Sequence, residues 1–238
     1  MSRKLKPVSP GEMLAEEFLK PLGMSNYRLA KEIGASDLRI VDATWLMPDS
    51  GRDPASEYEA GHIPGAVFMD QGEIADSSSL PNMLPSPEKF ASRMQSLGLG
   101  DGSRIVVYDD SPFKSAARAW WMFMLFGAHD VAILDGGLAK WKAEGRALES
   151  GKPILRHRHF TAWKDDKSVV DKAGILANIA SNAAQLVDAR GAGRFTGDEK
   201  EPRPDMASGH IPGSVNLPYG LLFNADGTWK QGTTLLEA

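Results

Sequence analysis

Short apolar runs alternate with helical patterns along most of the chain beyond residue 37. Strand-like apolar runs are found at residues 38–43, 66–68, 105–108 and 131–134. Helical patterns are found at residues 86–97, 116–126 and 138–144. A proline follows Ser86 at the start of the first helical pattern and Gly98 stands just past its end, as is typical of helix termini. Strands that alternate with helices predict an α/β fold, in which a parallel sheet is covered by helices on both faces.

This pattern is interrupted once and then resumes. Residues 148–168 show no periodicity and contain a mixed run of arginine and histidine at residues 156–159. Two histidines two positions apart, His157 and His159, indicate a solvated linker rather than a metal site, because no third ligand stands near them in the sequence. Beyond the linker, a helix is predicted at residues 171–180 and strands are predicted at residues 185–187 and 214–217.

One pentapeptide occurs twice in the chain. Gly61-His62-Ile63-Pro64-Gly65 returns 148 residues later as Gly209-His210-Ile211-Pro212-Gly213, and each copy follows a strand that ends in Asp-Ala. Solenoid repeats have periods of about 20–50 residues, so this spacing predicts two related domains in tandem. We therefore divide the chain into a helical segment (1–35), a first domain (36–150), a linker (151–167) and a second domain (168–238) that is incomplete by comparison with the first.

Composition narrows the class of protein. The 238 residues are 42% hydrophobic and carry a net charge of −4, which is typical of a soluble globular protein without a global attraction to nucleic acid. The longest apolar run, residues 119–126, is too short for a bilayer span of about 20 residues, and no apolar signal segment follows Met1, so a cytoplasmic protein is expected. The sequence contains no cysteine, which excludes disulfides and cysteine nucleophiles among these residues, and no motif for a cofactor or metal is found.

Residues 1–35 differ in character from the rest of the chain. Two short helical patterns flank a break at Pro21 and Gly23, and the stretch from Pro10 resembles the start of antitoxin-type helix-turn-helix repressors. The recognition helix of such repressors, which enters the major groove, has no counterpart here because a different domain begins after Ala35. A helical pair packed on the next domain or loose in solution is therefore the preferred interpretation. Nucleic acid is not an expected partner, and a DNA-binding regulator is kept as an alternative.

Five motifs in a fixed order carry a second, longer resemblance. They are Asp42-Ala43, Gly61 to Ala66, Tyr108-Asp109, Arg118 to Met122, and Leu134 to Leu138 with Trp141. From about residue 37 to residue 238 the chain resembles the rhodanese family, in particular its tandem members, the 3-mercaptopyruvate and thiosulfate sulfurtransferases. The resemblance implies tandem rhodanese-like domains. It also implies that the first domain is catalytically inactive and that a cysteine in the second domain accepts sulfur as a persulfide and passes it to a thiol or cyanide.

The chain departs from this family at the nucleophile. The family's Cys-Gly-x-Gly loop is expected beyond residue 238, so the second domain is interpreted as truncated, and in the first domain Asp109 stands where a cysteine would. A carboxylate cannot carry a persulfide. The sequence therefore predicts a sulfurtransferase without a catalytic residue, which is inactive as it stands. A non-catalytic rhodanese-like module that binds anions or regulates another protein is the alternative.

The resemblance also implies two substrate-binding arginines. They fall on Arg194 and Arg203, and a guanidinium group suits the carboxylate of 3-mercaptopyruvate or the oxygens of thiosulfate. Each arginine could instead form a surface ion pair with Glu199 or Glu201. The expected partners are a small anionic sulfur donor and a thiol acceptor, and the oligomeric state is left open.

The histidines of the repeated pentapeptide are candidates for a general base. Both His62 and His210 occupy the same place in a repeated turn, and one of them lies in the domain that the resemblance implies to be inactive. A structural, hydrogen-bonded role is therefore the preferred interpretation for both.

Overall fold

The computed structural model describes Ser25 and residues 33–76, 78, 80–201 and 206–236. The described residues divide between two compact units, one that ends at Asp166 and one that begins at Lys167; we call them the first and the second unit. The helix-turn-helix-like segment predicted at residues 1–35 lies outside the described residues except for Ser25 and residues 33–35. The DNA-binding alternative therefore stays a prediction.

The first unit is built around a four-stranded parallel sheet with the strand order β2-β1-β3-β4. Its strands are β1 (Leu38–Asp42), β2 (Ala66–Phe68), β3 (Arg104–Tyr108) and β4 (Val131–Ile133). Its helices are α1 (Pro54–Ala60), α2 (Gln71–Ile74), α3 (Pro87–Ser96), α4 (Ala116–Leu125) and α5 (Gly137–Ala143). Asp42 pairs with Tyr108 in the register of β1 and β3, so the carboxyl ends of the central strands meet at one edge of the sheet.

The central strands are buried on both faces because their residues are apolar without alternation. Val41, Val106 and Val107 are fully buried. This burial explains why the sequence shows continuous apolar runs rather than the alternation of a half-exposed sheet. The predicted α/β class with a parallel sheet flanked by helices is confirmed.

The two ends of helix α3 are set by a capping serine, a proline in the first turn and a glycine after the last turn. The hydroxyl of Ser86 accepts a hydrogen bond from the Lys89 amide at 3.2 Å, Pro87 occupies the first turn, and Gly98 follows the helix with φ +72°. Helices α1 and α2 were not predicted, because each is short and buries few side chains. Their start signals were present, since Asp53 and Asp70 accept hydrogen bonds from amides of the first turn.

Residues 151–167, predicted as a linker, pack against the first unit along their second half. The side chain of Phe160 is 3% exposed, and its ring lies 5.8 Å from that of Phe90. The Asp101 amide donates to the His159 carbonyl at 2.8 Å, and the Trp163 amide donates to the Phe126 carbonyl at 3.1 Å. We call this segment the strap, because its second half packs on the first unit, and its predicted role as the interdomain linker stays a prediction.

The second unit contains a two-stranded parallel sheet of β5 (Leu186–Asp188) and β6 (Ser214–Asn216). Its helices are α6 (Lys172–Ser181), α7 (Ala192–Thr196) and α8 (Thr233–Leu236). Val187 pairs with Val215, as Val41 pairs with Val67 in the first unit, so β5 and β6 repeat the pairing of β1 and β2. Val187 is 48% exposed, whereas Val41 is fully buried. The strand pairing in both units is therefore consistent with the tandem repeat predicted from the pentapeptide.

No helix in the described part of the chain combines the length and the apolarity that a membrane span requires.

Candidate functional site

The loop that follows β3 holds a buried carboxylate. Asp109 is 7% exposed, and its Oδ2 accepts hydrogen bonds from the Ala116 amide at 3.0 Å and from the Ser115 hydroxyl at 3.1 Å. Burial raises the pKa of Asp109 to about 6, against the opposing effect of the hydrogen bond from Ala116. The carboxylate thus lies at the N-terminus of α4, where the helix dipole favours a negative charge. This group fixes the loop by hydrogen bonding, and it cannot carry sulfur.

A second buried carboxylate ends the neighbouring strand. Oδ1 of Asp42 accepts hydrogen bonds from the Thr44 amide at 2.9 Å and from the Thr44 hydroxyl at 2.6 Å, and burial raises the pKa of Asp42. The Thr44 hydroxyl in turn accepts a hydrogen bond from the Asp110 amide at 3.0 Å. Asp42 and Thr44 therefore connect the end of β1 to the loop that follows β3. These hydrogen bonds hold the loop in place, and none of the groups involved is a thiol nucleophile.

The two histidines of the repeated pentapeptide have the same partner in each unit. Nδ1 of His62 lies 2.7 Å from the carbonyl oxygen of Tyr58, and Nδ1 of His210 lies 2.7 Å from that of Phe195. A carbonyl only accepts hydrogen bonds, so Nδ1 carries the proton in both residues. Both histidines are therefore hydrogen-bonded as predicted, and a purely structural role for them stays a prediction.

Arg194, one of the two predicted substrate-binding residues, lies in α7 and is paired with Glu201. Its Nη2 donates to Oε1 of Glu201 at 2.5 Å, and its Nε donates to Oε2 at 3.3 Å. The Glu201 side chain is 3% exposed, and the hydrogen bond from Arg194 is the largest of the effects that lower the pKa of Glu201. The ion pair weighed in the sequence therefore exists, and it engages one edge of the guanidinium. Arg203 lies outside the described residues, so its binding role stays a prediction.

A second arginine of the second unit, Arg190, also pairs with Glu201 and was not predicted from the sequence. Nη2 of Arg190 donates to Asp188 at 2.6 Å and to the Gly209 carbonyl at 2.7 Å, and its Nη1 donates to Glu201 at 3.2 Å. These hydrogen bonds lower the pKa of Asp188 and raise the pKa of Arg190. Asp188, Arg190, Glu201 and Arg194 thus alternate in charge. The sequence did contain a signal for this ion pair. Arg190 follows Asp188, the last residue of a strand, by two positions, and side chains at this spacing beyond a strand end can pair with each other.

No cluster of three or more histidine, cysteine, aspartate or glutamate side chains is found in the part of the chain that the structure describes. His159 is 80% exposed, and its closest carboxylate, Asp101, lies 3.9 Å away.

Comparison with known proteins places these features in a family. The family model of the rhodanese-like domain matches residues 25–144. The 3-mercaptopyruvate sulfurtransferase of Escherichia coli (strain K12) is 43% identical over 193 residues, which cover 80% of this chain and 69% of that protein. The 3-mercaptopyruvate sulfurtransferase of Rattus norvegicus is 41% identical over 196 residues, which cover 81% of this chain and 66% of that protein.

A solved structure agrees with the sequence comparison. The crystal structure of SseA from Escherichia coli, a 3-mercaptopyruvate sulfotransferase with the rhodanese fold, matches with a TM-score of 0.82 and 39% identity. The match covers 90% of this chain and 80% of that chain. The parallel sheet, the repeated pentapeptide and these matches agree with one another, and the chain belongs to the rhodanese family.

Proposed function

We propose that this chain binds the small anionic sulfur donor of a rhodanese-type sulfurtransferase reaction. The donor is 3-mercaptopyruvate, with thiosulfate as the alternative, and the acceptor is a thiol or cyanide. Two relatives that are 43% and 41% identical are 3-mercaptopyruvate sulfurtransferases, which supports the choice of donor. A cytoplasmic location is part of the same proposal.

The observation that carries the proposal is the hydrogen bonding of the Arg194 guanidinium group. One edge of its guanidinium is occupied by Glu201, through Nε and Nη2. The other edge, formed by Nη1 and Nη2, meets no acceptor among the residues that the structure describes. A guanidinium edge with two parallel N–H groups binds a carboxylate in bidentate fashion, which a lysine cannot do. Arg194 therefore suits the carboxylate of 3-mercaptopyruvate, and Arg203 is proposed as a second contact.

We also propose that these 238 residues do not transfer sulfur by themselves. A persulfide route needs a thiolate, and the sequence contains no cysteine. The position that could hold a nucleophile in the first unit is filled by Asp109, whose carboxylate is engaged by Ser115 and Ala116. The chain is thus a donor-binding framework that lacks the nucleophile, which is close in practice to the non-catalytic anion-binding module considered above.

Sulfide release tests the absence of transfer. The purified 238-residue protein is incubated with 3-mercaptopyruvate and a thiol, and sulfide is measured against a reaction without protein. We expect no release above this background. Turnover that scales with protein concentration would contradict the proposed absence of transfer.

Ligand-dependent melting tests donor binding. Pyruvate, which carries the carboxylate of the donor without its sulfur, and thiosulfate are titrated against the wild-type chain, and the melting temperature is recorded. A ligand that binds only the folded state raises this temperature with concentration. We expect a rise with at least one of the two ligands and its loss in Arg194→Ala. A rise that persists in Arg194→Ala would reject Arg194 as the binding residue.

A further inference from the structure

Glu201 lies between the two arginines of the second unit, with its side chain 3% exposed. Its Oε1 accepts from Nη2 of Arg194, and its Oε2 accepts from Nε of Arg194 at 3.3 Å and from Nη1 of Arg190 at 3.2 Å. A single carboxylate therefore contacts both guanidinium groups. Arg194 cannot turn without breaking its charge-assisted hydrogen bonds to Glu201, so Glu201 fixes the orientation of Arg194.

A count of hydrogen-bond donors separates the two arginines. A guanidinium group has five N–H donors. Arg190 uses its Nε and one Nη2 donor on Asp188, its second Nη2 donor on the Gly209 carbonyl and one Nη1 donor on Glu201. Nearly all of its donors are thus engaged within the protein. This pattern is that of an anchor rather than of a ligand-binding group.

Arg194 has the opposite balance of donors. It uses only Nε and one Nη2 donor, both on Glu201, and within the described residues its other three donors meet no acceptor. These three lie on Nη1 and on the outer side of Nη2. One Nη1 donor and the outer Nη2 donor form the edge adjacent to the one that Glu201 occupies, so the orientation imposed by Glu201 decides where this Nη1–Nη2 edge points.

We propose that Glu201 is a positioning residue that holds Arg194 with its Nη1–Nη2 edge presented to the donor carboxylate, while Arg190 anchors Glu201. This inference rests on the proposed role of Arg194 as the donor-binding residue. Preorganisation lowers the entropy that a long side chain loses on binding. Glu201 acts through Arg194 and does not itself touch the donor, because its negative charge would repel the carboxylate of the donor at close range.

The charge of Glu201 and its proposed positioning role predict opposite effects of Glu201→Gln on the affinity for the donor. Its negative charge lies beside Arg194 and opposes the binding of an anion, so on charge alone Glu201→Gln tightens binding. If Glu201 positions Arg194, Glu201→Gln weakens binding, because the amide nitrogen of glutamine faces an N–H donor and at least one hydrogen bond is lost. Glu201→Asp keeps the charge but is one methylene shorter, so it cannot reach both arginines and also weakens binding.

The test is calorimetric titration of pyruvate into the full chain. The proteins are wild type, Arg194→Ala, Glu201→Gln, Glu201→Asp and the control Glu199→Gln, which removes the same charge from an exposed residue that forms no ion pair in the described structure. We expect Kd to rise about two- to tenfold in both Glu201 variants relative to Glu199→Gln, since ordering one free side chain carries a cost of this size. Ligand-free melting and circular dichroism identify any variant that does not fold, and the other Glu201 variant then supplies the result.

A spectroscopic signature accompanies the titration. The Nε–H proton of Arg194 is hydrogen-bonded to Glu201, so its NMR signal is expected in wild type, absent in Arg194→Ala and broadened by exchange with water in Glu201→Gln. A role in stability alone would change melting without a change in Kd or in this signal. Such a result would overturn the proposal.

The remaining outcomes are also decisive. If wild type does not bind pyruvate, the donor-binding role of Arg194 fails and the positioning role fails with it. If wild type binds, Arg194→Ala does not, and both Glu201 variants bind like Glu199→Gln, only the positioning role of Glu201 is overturned. Tighter binding by Glu201→Gln than by Glu199→Gln would identify Glu201 as a competitor of the donor and would also overturn it.

Discussion

The imidazole ring of His62 stacks on the ring of Tyr58, with centroids 4.0 Å apart and planes inclined by 13°. The same histidine donates to the backbone carbonyl of Tyr58. In the second unit His210 stacks on Phe195 with centroids 3.8 Å apart and repeats the hydrogen bond. Each histidine therefore ties the pentapeptide to the helix before it, and the two copies differ chiefly in burial, since His62 is 1% exposed and His210 is exposed.

This difference in burial predicts how each unit responds to the same change. Phenylalanine keeps the ring contact but removes the donor, so a carbonyl loses its partner. In His62→Phe the carbonyl is left without water, and we expect the free energy of unfolding of the first unit to fall by about 1–3 kcal/mol. In His210→Phe water replaces the donor, and we expect a loss below about 1 kcal/mol in the second unit. Hydrogen exchange in increasing urea reads the two units separately, and equal losses would contradict this account.

Burial of Asp109 predicts a pH-dependent stability. Burial raises the pKa of its side chain in the folded protein to about 6, above the ordinary value of an aspartate. A raised pKa favours the folded state while the group is protonated, so this stability is fully present below the unfolded pKa and is lost as the pH rises through 6. We expect wild type to gain about 1–2 kcal/mol between pH 7.5 and pH 5, relative to Asp109→Asn.

Urea unfolding of both proteins at the two pH values measures this difference. Asp42 titrates in both proteins, so the difference between their curves isolates Asp109. Parallel curves would show that Asp109 has no raised pKa.

A close approach at Gly100 predicts that the strap of residues 151–167 depends on this glycine. A Cβ at this position would lie 2.8 Å from the Cβ of Arg158 and 2.9 Å from the His159 carbonyl oxygen. We expect Gly100→Ala to destabilise the first unit by about 1–3 kcal/mol and to accelerate proteolysis within the strap, because Phe160 loses its contacts. At Gly61 a Cβ would meet only Leu148, at 3.4 Å. Gly61→Ala is therefore the control, and similar cleavage rates in the two variants would show that the strap does not depend on Gly100.

The exposure of the second sheet predicts unequal protection of the two units. Val187 in β5 is 48% exposed and Val215 in β6 is 38% exposed, whereas Val41 in β1 and Val106 in β3 are fully buried. Amides protected by buried apolar contacts open less often. We expect the amides of β1 and β3 to exchange on the order of a hundredfold more slowly than those of β5 and β6, after correction for intrinsic rates. Comparable protection would indicate that the second unit is stabilised by contacts other than apolar burial.

The predictability of each helix followed the strength of its local signals. The helix predicted at residues 86–97 is observed as Pro87–Ser96, because a serine cap, a proline and a following glycine define its ends. Helix α1 (Pro54–Ala60) was missed although Asp53 caps it, since only Tyr58 is buried and no apolar stripe marks it. Periodicity detects a helix through its buried face, so a short helix with one buried side chain gives no periodic signal.

The burial of Phe160 in the strap could not be predicted from the sequence, because it depends on a contact between residues that are distant in the chain. Phe160 lies in a stretch without periodicity, and its burial depends on Phe90, which is 70 residues earlier in the chain. An apolar residue with polar neighbours, as Phe160 has in His159 and Thr161, is compatible with either an exposed or a buried position. Only the position of α3 in the folded unit selects the buried one.

The sequence by itself determined the α/β class, the tandem repeat and the absence of a cysteine nucleophile, because these depend on residue order and composition. The tertiary structure alone decided how the charged residues of the second unit are paired. Glu201 could have paired with any nearby cation, and Arg190 was not recognised at all. The chain places Glu201 between Arg190 and Arg194, and this placement decides which donors of Arg194 meet no acceptor among the described residues. Hydrogen-bond directions depend on atomic positions in the fold, whereas a sequence specifies only which donors and acceptors are available.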